Sequence, residues 1–474
     1  MTLIQARVLA NWRTLLFGDD FTKASTKHFA FQLEIASADP AALEGLRELT
    51  LRRDQACRAE CYKLPHATLE DQAQWFVKYL ALLRQFVASA SHWEGALQKD
   101  RSGFIWSSPL SSYAADARFS LRSVHAEEIM ALFMYAALLQ QQAYDPAVQP
   151  APDSSTAGAD PAGSSRRSLK ATLSGLSLTS GISRRCSKSL SFGRSHAAPA
   201  EATPGESADT PNGAAAAGTG SDAAADTSVP AAAAPDADHA AIVTLYRRAA
   251  GVLQFVAEQL LPAAAAAAGF PAGSDCPVEL HEGAAAAMQA LCLAQAQGVA
   301  ALRAELRGTS PALVAALHCG AAELYEQAAS TLRSLKPPSQ AGGAVAPAGA
   351  SPPLSERLRR FLAISATRHE AKGLQALAAS CRAEMQLGQA SACLRDGLAK
   401  VRQCLVVCEK DEDWKAALQA DLQELEVLHK AYEKERQEVY SQRVPAAAPT
   451  LPAGRCIVTP IAYASPECGE GFFK

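Results

Sequence analysis

The sequence predicts an almost entirely α-helical protein, and three observations support this prediction. Apolar residues recur every three or four positions through most of the chain, which is the spacing of an amphipathic helix. Strand-favouring stretches are few and short: "HFAFQLEI" near the start, "GFIW" at 103–106 and "RCIVTP" near the end. Alanine is abundant at the expected helix contacts, and small side chains allow close approach, as in stacked helical pairs of the tetratricopeptide kind. No strict repeat is readable, so we expect a helical solenoid without a regular array.

Four helices are predicted in the first 261 residues. Residues 41–62 and 68–97 carry apolar residues at helical spacing, and so do residues 119–144 and 239–261. In the last of these the large apolar side chains fall mostly on one face and the charged ones on the other. Each of the four is therefore expected to bury one face against a neighbouring helix.

The stretch "LCLAQAQGVAALRAELRGTSPALVAALHCGAAELYEQA", residues 291–328, predicts two helices separated by "RGTSP". Ser310 can cap the second helix, and Pro311 suits its first turn, where a missing N–H costs nothing. The second helix carries an apolar stripe, formed by Leu313, Leu317 and Leu324. Its other side chains show no catalytic pattern, so the pair is expected to provide shape.

Residues 355–441 predict three long helices. In the last one, large apolar residues recur seven positions apart, at Leu418, Leu425, Tyr432 and Val439. A seam with this spacing indicates helix-on-helix packing over many turns.

Two segments are too poor in large apolar residues to bury a core. Residues 145–238 are mostly Ala, Ser, Gly, Pro and Thr, and residues 336–353 form a shorter break of the same kind. The first is predicted to be a disordered insertion or an interdomain linker, and the second a flexible loop. The opening "MTLIQARVLANWRTLLFG" fits an amphipathic surface helix or an organelle-targeting helix.

The length, net charge and composition of the chain narrow the possible classes of function. The chain has 474 residues, a net charge of −3 and an apolar fraction of 49%, which allows a large core and argues against a nucleic-acid-binding surface across the molecule. The 12 cysteines are scattered, so a reducing cytosolic compartment is expected. No secretory signal is visible, and the longest alanine run, "LLPAAAAAAGF", is too short to cross a bilayer.

No catalytic, cofactor or metal site is readable. Cys57 and Cys61, like Cys404 and Cys408, lie four apart without a second pair at metal-binding spacing, so core packing is the favoured interpretation. The segments "RHEAK" at 368–372 and "VHAEE" at 124–128 lack the second histidine of a zinc protease helix and are expected on the surface or at helix caps. The acidic pairs Glu127/Glu128 and Glu433/Glu435 are expected on ordinary helix surface. The absence of a phosphate loop or nucleophile motif favours a binding protein over an enzyme.

One basic cluster lies inside the predicted insertion. Residues 164–195 carry seven Arg and Lys, no acid and many serines. Ser168 and Ser187 are candidate phosphorylation sites, because phosphate there would offset the positive charge. The segment could also touch anionic lipid weakly, or have no partner at all.

Several segments in order resemble the Bro-one domain, the endosomal-targeting module of ALIX-like proteins. "FIWSSPL" and "SVHAEEIMALFMYAALLQQQA" resemble its aromatic strand and following helix, and "YRRAAGVLQFV", "LAQAQGVAALRA" and "ALVAALHCGAAELYEQA" resemble three later helices. "EKERQEVYSQRVPAAAPTLP" resembles its terminal element, and Tyr440 falls on a family tyrosine that is a third candidate for phosphorylation. The chain ends soon afterwards, so it looks closest to the short, single-domain members, the BROX-like group and its plant and algal relatives.

The resemblance implies one curved, banana-shaped domain over residues 1–461, interrupted by the insertion and followed by a tail, 462–474. It also implies a groove for the C-terminal amphipathic helix of an ESCRT-III subunit, with contacts at Leu313 and Leu317 and an aromatic contact that is replaced here by Ala300. For the two leucines, plain core packing is the alternative.

The expected function is thus a non-enzymatic, monomeric adaptor in endosomal sorting, cytoplasmic and recruited to endosomes, with no cofactor, no metal and no nucleic acid. The alternatives are a generic tetratricopeptide-like scaffold for an unrelated client and an enzyme whose site is not readable. The adaptor function requires that the side chains at 313 and 317 are exposed above a furrow.

Overall fold

The computed structural model describes residues 26–31, 40–57, 68–89, 103–111, 118–144, 234–265, 276–335, 354–408 and 411–467. Among them, the first part of the chain forms α1 (Pro40–Cys57), α2 (Leu69–Ala88), β1 (Phe104–Trp106), β2 (Phe119–Leu121) and α3 (Val124–Tyr144). A second group comprises α4 (Ala234–Phe255), a π-helical turn (Val256–Leu260), α5 (Leu261–Ala265), a 3-10 turn (Val278–Leu280), α6 (Ala284–Leu306) and α7 (Pro311–Arg333). The last group is α8 (Glu356–Ala383), α9 (Leu387–Val407), α10 (Glu412–Glu435) and a second π turn (Arg436–Tyr440).

Consecutive helices pack against one another along most of the described chain. The most extensive contacts join α3 to α4, α4 to α6, and then each helix from α6 to α10 with the next. All these elements belong to one compact unit, formed by residues 1–151 and 232–474. The all-α prediction is therefore confirmed.

Helix ends follow local rules. Thr68 opens α2 with a reciprocal capping box, in which its hydroxyl accepts from the backbone N–H of Asp71 and the Asp71 carboxylate accepts from the backbone N–H of Thr68. Ser355 caps α8 by accepting a hydrogen bond from the backbone N–H of Leu358. Ser310 occupies the corresponding position of α7 and Pro311 its first turn, but the Ser310 hydroxyl makes no capping bond, contrary to the prediction.

The strand predictions were partly wrong. "GFIW" does contribute β1, which pairs antiparallel with β2 in the register Phe104↔Leu121. The prediction missed β2, because residues 119–121 were placed inside a helix that begins at Val124. No strand forms at 455–460. Of "HFAFQLEI", only residues 28–31 are described, and they are not in a strand.

The predicted seam of α10 holds for three of its four members. Leu418, Leu425 and Tyr432 are buried, whereas Val439 is 66% exposed. The π turn Arg436–Tyr440 explains the difference, because its wider backbone rotates the next side chain away from the packed face.

The acidic pair Glu127/Glu128 is buried, so its predicted surface position was wrong. Arg53 is also fully buried, and its Nε donates to Glu127 Oε1 at 2.7 Å. Tyr79 and Trp106 donate to the same carboxylate at 2.8 and 2.6 Å. This hub fastens α1, α2 and β1 to α3, because every donor comes from a different element. Arg84 Nη1 pairs with Glu128 at 2.8 Å.

The predicted insertion lies outside the described residues up to 233, and α4 begins at Ala234 rather than at residue 239. The predicted loop 336–353 and the amino-terminal helix of residues 1–18 also lie outside them. By length and composition alone, two helices, His239–Ala265 and Ala284–Leu306, could span a bilayer. The second has 78% of its most apolar window buried inside the protein, which is equally expected of a core helix.

The chain after α10 crosses the helices without regular structure, and we call residues 441–463 the C-terminal segment. Its backbone lies directly on helical glycines. A Cβ at Gly320 would sit 2.8 Å from the carbonyl oxygen of Arg455, and one at Gly251 would overlap the carbonyl of Ile461. Tyr463 extends the packing beyond the predicted boundary at 461, since its ring lies 5.2 Å from that of Phe255.

Candidate functional site

A groove of about 510 Å³ lies between α4, α6 and α7, and the C-terminal segment forms its remaining wall. Its lining is mixed, with apolar and arginine side chains. These residues line it: Ala240, Val243, Thr244, Arg247, Ala300, Arg303, Ala304, Arg307, Thr309, Leu313, Leu317, Arg455, Ile457 and Val458.

The structure brings the three residues predicted for partner binding into this one groove. Leu313 and Ala300 are half-buried, so both present side-chain surface to the groove. Leu317 also lines the groove but is only 3% exposed. It therefore forms part of the floor and is packed as a core residue. A furrow above residues 313 and 317 exists, and of these two leucines it is Leu313 that presents accessible apolar surface to it.

The turn between α6 and α7 shapes one end of the groove. Gly308 has φ +70°, a conformation in which an L side chain is strained, and it ends α6. The backbone N–H of Thr309 then donates to the carbonyl of Ala304 at 3.0 Å. Pro311 begins α7 at once. The tight reversal places Leu313 in the first turn of α7, where it lines the same groove as the end of α6.

Gln297 holds the C-terminal segment against the groove. Its Oε1 accepts from the backbone N–H of Ile457 at 3.0 Å, and its Nε2 donates to the carbonyls of Arg455 at 2.8 Å and Leu317 at 3.1 Å. The side chain is fully buried. It thus joins α6, α7 and the segment. Sequence reasoning missed this role, because the segment lies 160 positions away from Gln297.

The groove is basic. Four arginines line it, and none of its described lining residues is acidic. Arg247 is held in place by donating its Nε to the carbonyl of Thr459 at 2.7 Å. Because the carbons of long arginine side chains cover apolar surface while their guanidinium groups stay in water, the arginines also extend the apolar walls. The site is therefore suited to a ligand with apolar and negatively charged groups.

A buried polar layer supports α7 beneath the groove. The fully buried His318 contacts Glu305 Oε1 through Nε2 at 2.9 Å and His369 Nδ1 through Nδ1 at 3.0 Å. Burial raises the pKa of Glu305, but the hydrogen bond and charge of His318 lower it overall. Burial, followed by the nearby positive charges, lowers the pKa of His369 well below its usual value. This layer links α6, α7 and α8 through ring and carboxylate contacts.

The segment "RHEAK" lies largely in this layer, so its predicted surface position was wrong. Arg368 and Lys372 are buried, and both pair with Asp421 of α10, at 2.5 and 3.6 Å. Lys372 also reaches Glu424 at 3.2 Å. Burial raises the pKa of Asp421, but the charges of Arg368 and Lys372 lower it overall. The ion pairs therefore connect α8 to α10 across a sequence distance that no local pattern reveals.

The described residues contain no group of histidine, cysteine and carboxylate side chains placed to hold a metal ion. Cys57, Cys404 and Cys408 are buried. Burial raises the pKa of Cys404 to about 12, so its thiol stays protonated at neutral pH. Cys61 lies outside the described residues.

One set of polar residues combines Ser391, His429 and Glu433. The Ser391 hydroxyl lies 3.2 Å from His429 Nε2 and also donates to the Glu433 carboxylate. Ser391 is only 1% exposed, so a substrate could not reach it. The half-buried Glu433 pairs with Arg436 at 2.8 Å, which corrects its predicted placement on an open helix surface. This cluster connects α9 to α10.

The candidate phosphorylation sites are dispersed. Ser168 and Ser187 lie outside the described residues. Tyr440 is half-buried in the π turn after α10, where its hydroxyl donates to the sulfur of Met385 at 3.2 Å. It lies outside the groove lining.

A second depression, of about 820 Å³, lies between α7 and α8. It is larger than the groove but contains none of the predicted contacts. Its lining includes both acids and bases, such as Glu323, Glu326, Arg333 and Arg359. Mixed charge gives no preference for one class of ligand, so the groove remains the better candidate.

Comparisons with known proteins agree on one fold. The family model "BRO1-like domain" matches residues 223–474. The solved "ALIX BRO1 CHMP4C complex" has a TM-score of 0.55 at 13% identity over 94% of each chain. ALIX in complex with the SIVmac239 PYKEVTEDL late domain has a TM-score of 0.57 at 13% identity, over 93% of this chain and 48% of that one. The structure described as the basis for endosomal targeting by the Bro1 domain has a TM-score of 0.55 at 12% identity, over 94% and 92%. No curated protein matches the sequence.

Proposed function

Because the chain belongs to the BRO1-like domain family, we propose that it is a non-enzymatic adaptor that binds the C-terminal amphipathic helix of an ESCRT-III subunit in the groove at Leu313. The adaptor acts in endosomal sorting or membrane remodelling. It is a cytoplasmic monomer that is recruited to endosomes through its partners. The proposal treats the basic segment 164–195 as a secondary, weak contact with anionic membrane.

The observation that carries the proposal is the convergence of Leu313, Leu317 and Ala300 on one open groove. These positions were selected from sequence motifs alone, and two of them present accessible apolar surface. An amphipathic helix laid along such a groove buries its apolar stripe and leaves its polar face in water. The solved complex of ALIX BRO1 with CHMP4C supports a partner of this class.

The groove is expected to give moderate affinity. Ala300 leaves a gap where the resemblance implies an aromatic side chain, and Leu317 is largely covered. Leu313 therefore supplies much of the apolar contact. A dissociation constant on the order of micromolar is expected for a single short helix under these conditions.

The test is calorimetric titration of the full chain with a panel of ESCRT-III C-terminal peptides. Wild type is expected to bind at least one peptide, and Leu313→Asp is expected to weaken that binding about 100-fold or more. Losing the burial of a leucine and introducing a charge into the contact removes roughly 3 kcal/mol of binding free energy.

Leu51→Asp is the matched control. Leu51 is also a helical leucine, but it is 49% exposed and lies on α1, away from the groove. Equal binding by wild type and Leu313→Asp would refute the groove. Absence of binding by wild type to every peptide, with a pull-down rich in unrelated clients, would favour the generic scaffold instead.

A further inference from the structure

The wall formed by the C-terminal segment carries an exposed apolar side chain. Ile457 is 54% exposed and lines the groove, whereas the next residue, Val458, is buried. Val458 packs in a small apolar cluster with Tyr246, Val299 and Leu302. The alternation of outward and inward side chains therefore fixes Ile457 towards the groove.

The backbone that presents Ile457 is held from three sides. Gln297 bonds both the N–H of Ile457 and the carbonyl of Arg455, at 3.0 and 2.8 Å. The N–H of Arg455 donates to the carbonyl of Ala316 at 2.8 Å. Gly320 allows this close approach, because any Cβ there would press on the Arg455 carbonyl. An apolar side chain on so well fixed a backbone loses little conformational freedom when a ligand covers it.

Charge identifies the kind of helix that fits. Arg455 lies two positions before Ile457, and Arg247 of α4 is bonded to the same segment at Thr459. Arg303 and Arg307 line the groove from α6 and its end. A helix in the groove would thus lie beside guanidinium groups, and none of the described lining residues is an Asp or Glu. Acidic residues next to the apolar stripe are favoured there, and basic residues are repelled.

We propose that Ile457 is an apolar anchor of the groove and that the arginines around it select a helix with acidic residues flanking its apolar stripe. This inference rests on the proposed function and names the chemistry of its partner. The C-terminal segment is then a direct part of the binding site. Its backbone is bonded to Gln297, one turn before Ala300 on α6, so Ile457 supplies some of the apolar contact that is absent at Ala300.

The anchor is tested by titrating the full chain with the tightest-binding peptide of the ESCRT-III panel. Ile457→Ser is expected to weaken binding about tenfold, because roughly half of an isoleucine side chain is no longer buried by the ligand. Val427→Ser is the matched control: Val427 is a β-branched residue that is 69% exposed on α10 and does not line the groove. Neither change should alter the melting temperature, since both side chains are exposed.

The charge preference is tested with two versions of that peptide, in which the residues flanking the apolar stripe are all Glu or all Lys. Wild type is expected to bind the Glu version at least tenfold more tightly at low salt, with the difference shrinking as salt is added. Arg455→Glu should reduce that preference. Equal binding of the two versions would overturn the charge inference.

The outcomes separate this inference from the proposed function. If Leu313→Asp abolishes binding and Ile457→Ser leaves it unchanged, the groove stands and the anchor is overturned. If only Ile457→Ser weakens binding, the ligand touches the C-terminal segment but does not lie in the groove at Leu313, so the proposed function at that groove is overturned, and the anchor with it. If wild type binds no peptide of the panel and neither charged version, both are overturned.

Discussion

The buried ion pair between Arg53 and Glu127 allows a prediction whose size follows from its geometry. In wild type, Arg53 makes two contacts with the Glu127 carboxylate, at 2.7 and 3.3 Å, and donates to the Lys27 carbonyl and the Thr26 hydroxyl. Burial alone would lower the pKa of Arg53, but the charge of Glu127 raises it overall, so Arg53 remains ionised. Arg53→Met keeps much of the volume and removes the charge and all four hydrogen bonds.

The substitution leaves a carboxylate with no solvent exposure, whose remaining side-chain donors among the described residues are Tyr79 and Trp106. Removing one member of a buried pair typically costs about 3–5 kcal/mol of folding free energy. At roughly 2–4 °C per kcal/mol for a domain of this size, the melting temperature should fall by on the order of 10 °C.

Scanning calorimetry of the full chain measures this shift, and Arg52→Met is its control. Arg52 is the neighbouring arginine on α1, but its side chain is 29% exposed and its pair with Glu48 is a surface contact of 2.6 Å. That pair is worth about 0–1 kcal/mol. Adding Glu127→Gln to Arg53→Met should recover part of the loss. Equal, small shifts for Arg52→Met and Arg53→Met would refute the inference that Arg53 is an essential donor to the Glu127 hub.

Three further predictions concern the pH response, the C-terminal segment and the groove. The pKa of His369 is lowered, so below about pH 6.5 the unfolded chain binds a proton that the folded chain does not. The free energy of unfolding should therefore fall between pH 6.5 and 5, by up to about 1.4 kcal/mol per pH unit. His369→Gln should flatten that slope in urea titrations. Gly251→Ala should loosen the C-terminal segment and speed amide hydrogen exchange there. Gly397→Ala is the control, because its Cβ would meet only ordinary contacts at 3.6 Å and beyond, and it should stabilise the protein by about 0.5–1 kcal/mol. Equal effects of the two substitutions would contradict the close approach at Gly251. Ala300→Phe should tighten peptide binding in calorimetry by restoring an aromatic contact, and weaker binding would indicate that the groove is already filled at this position.

Sequence reasoning predicted the helices well because their signal is local. The periodicity in α6 and α7, the turn at Gly308 and Pro311, and the order of family motifs can all be read within short windows. The resemblance to the Bro-one domain is confirmed by the family match over residues 223–474. Strand β2 has only three residues, too few to show an alternating pattern that would distinguish it from the helix that follows.

The buried charges could not be predicted, because their partners are remote in sequence. Glu127 looks like an ordinary helix-surface acid until Arg53, 74 positions away, is placed beside it. The same holds for Arg368 with Asp421, which are 53 positions apart. In the groove, Leu313 and Ala300 were predicted from motifs, but Ile457 was not, since only the folded chain brings the C-terminal segment next to α6.

The location of the bound helix is the central claim, and photo-cross-linking measures it directly. An ESCRT-III C-terminal peptide with a benzophenone on its apolar stripe is bound to the full chain, irradiated and mapped by mass spectrometry. The account predicts cross-links concentrated at residues 300–317 and 455–458, and their loss with Leu313→Asp. Cross-links at the depression between α7 and α8, around Glu326 and Arg359, would contradict it.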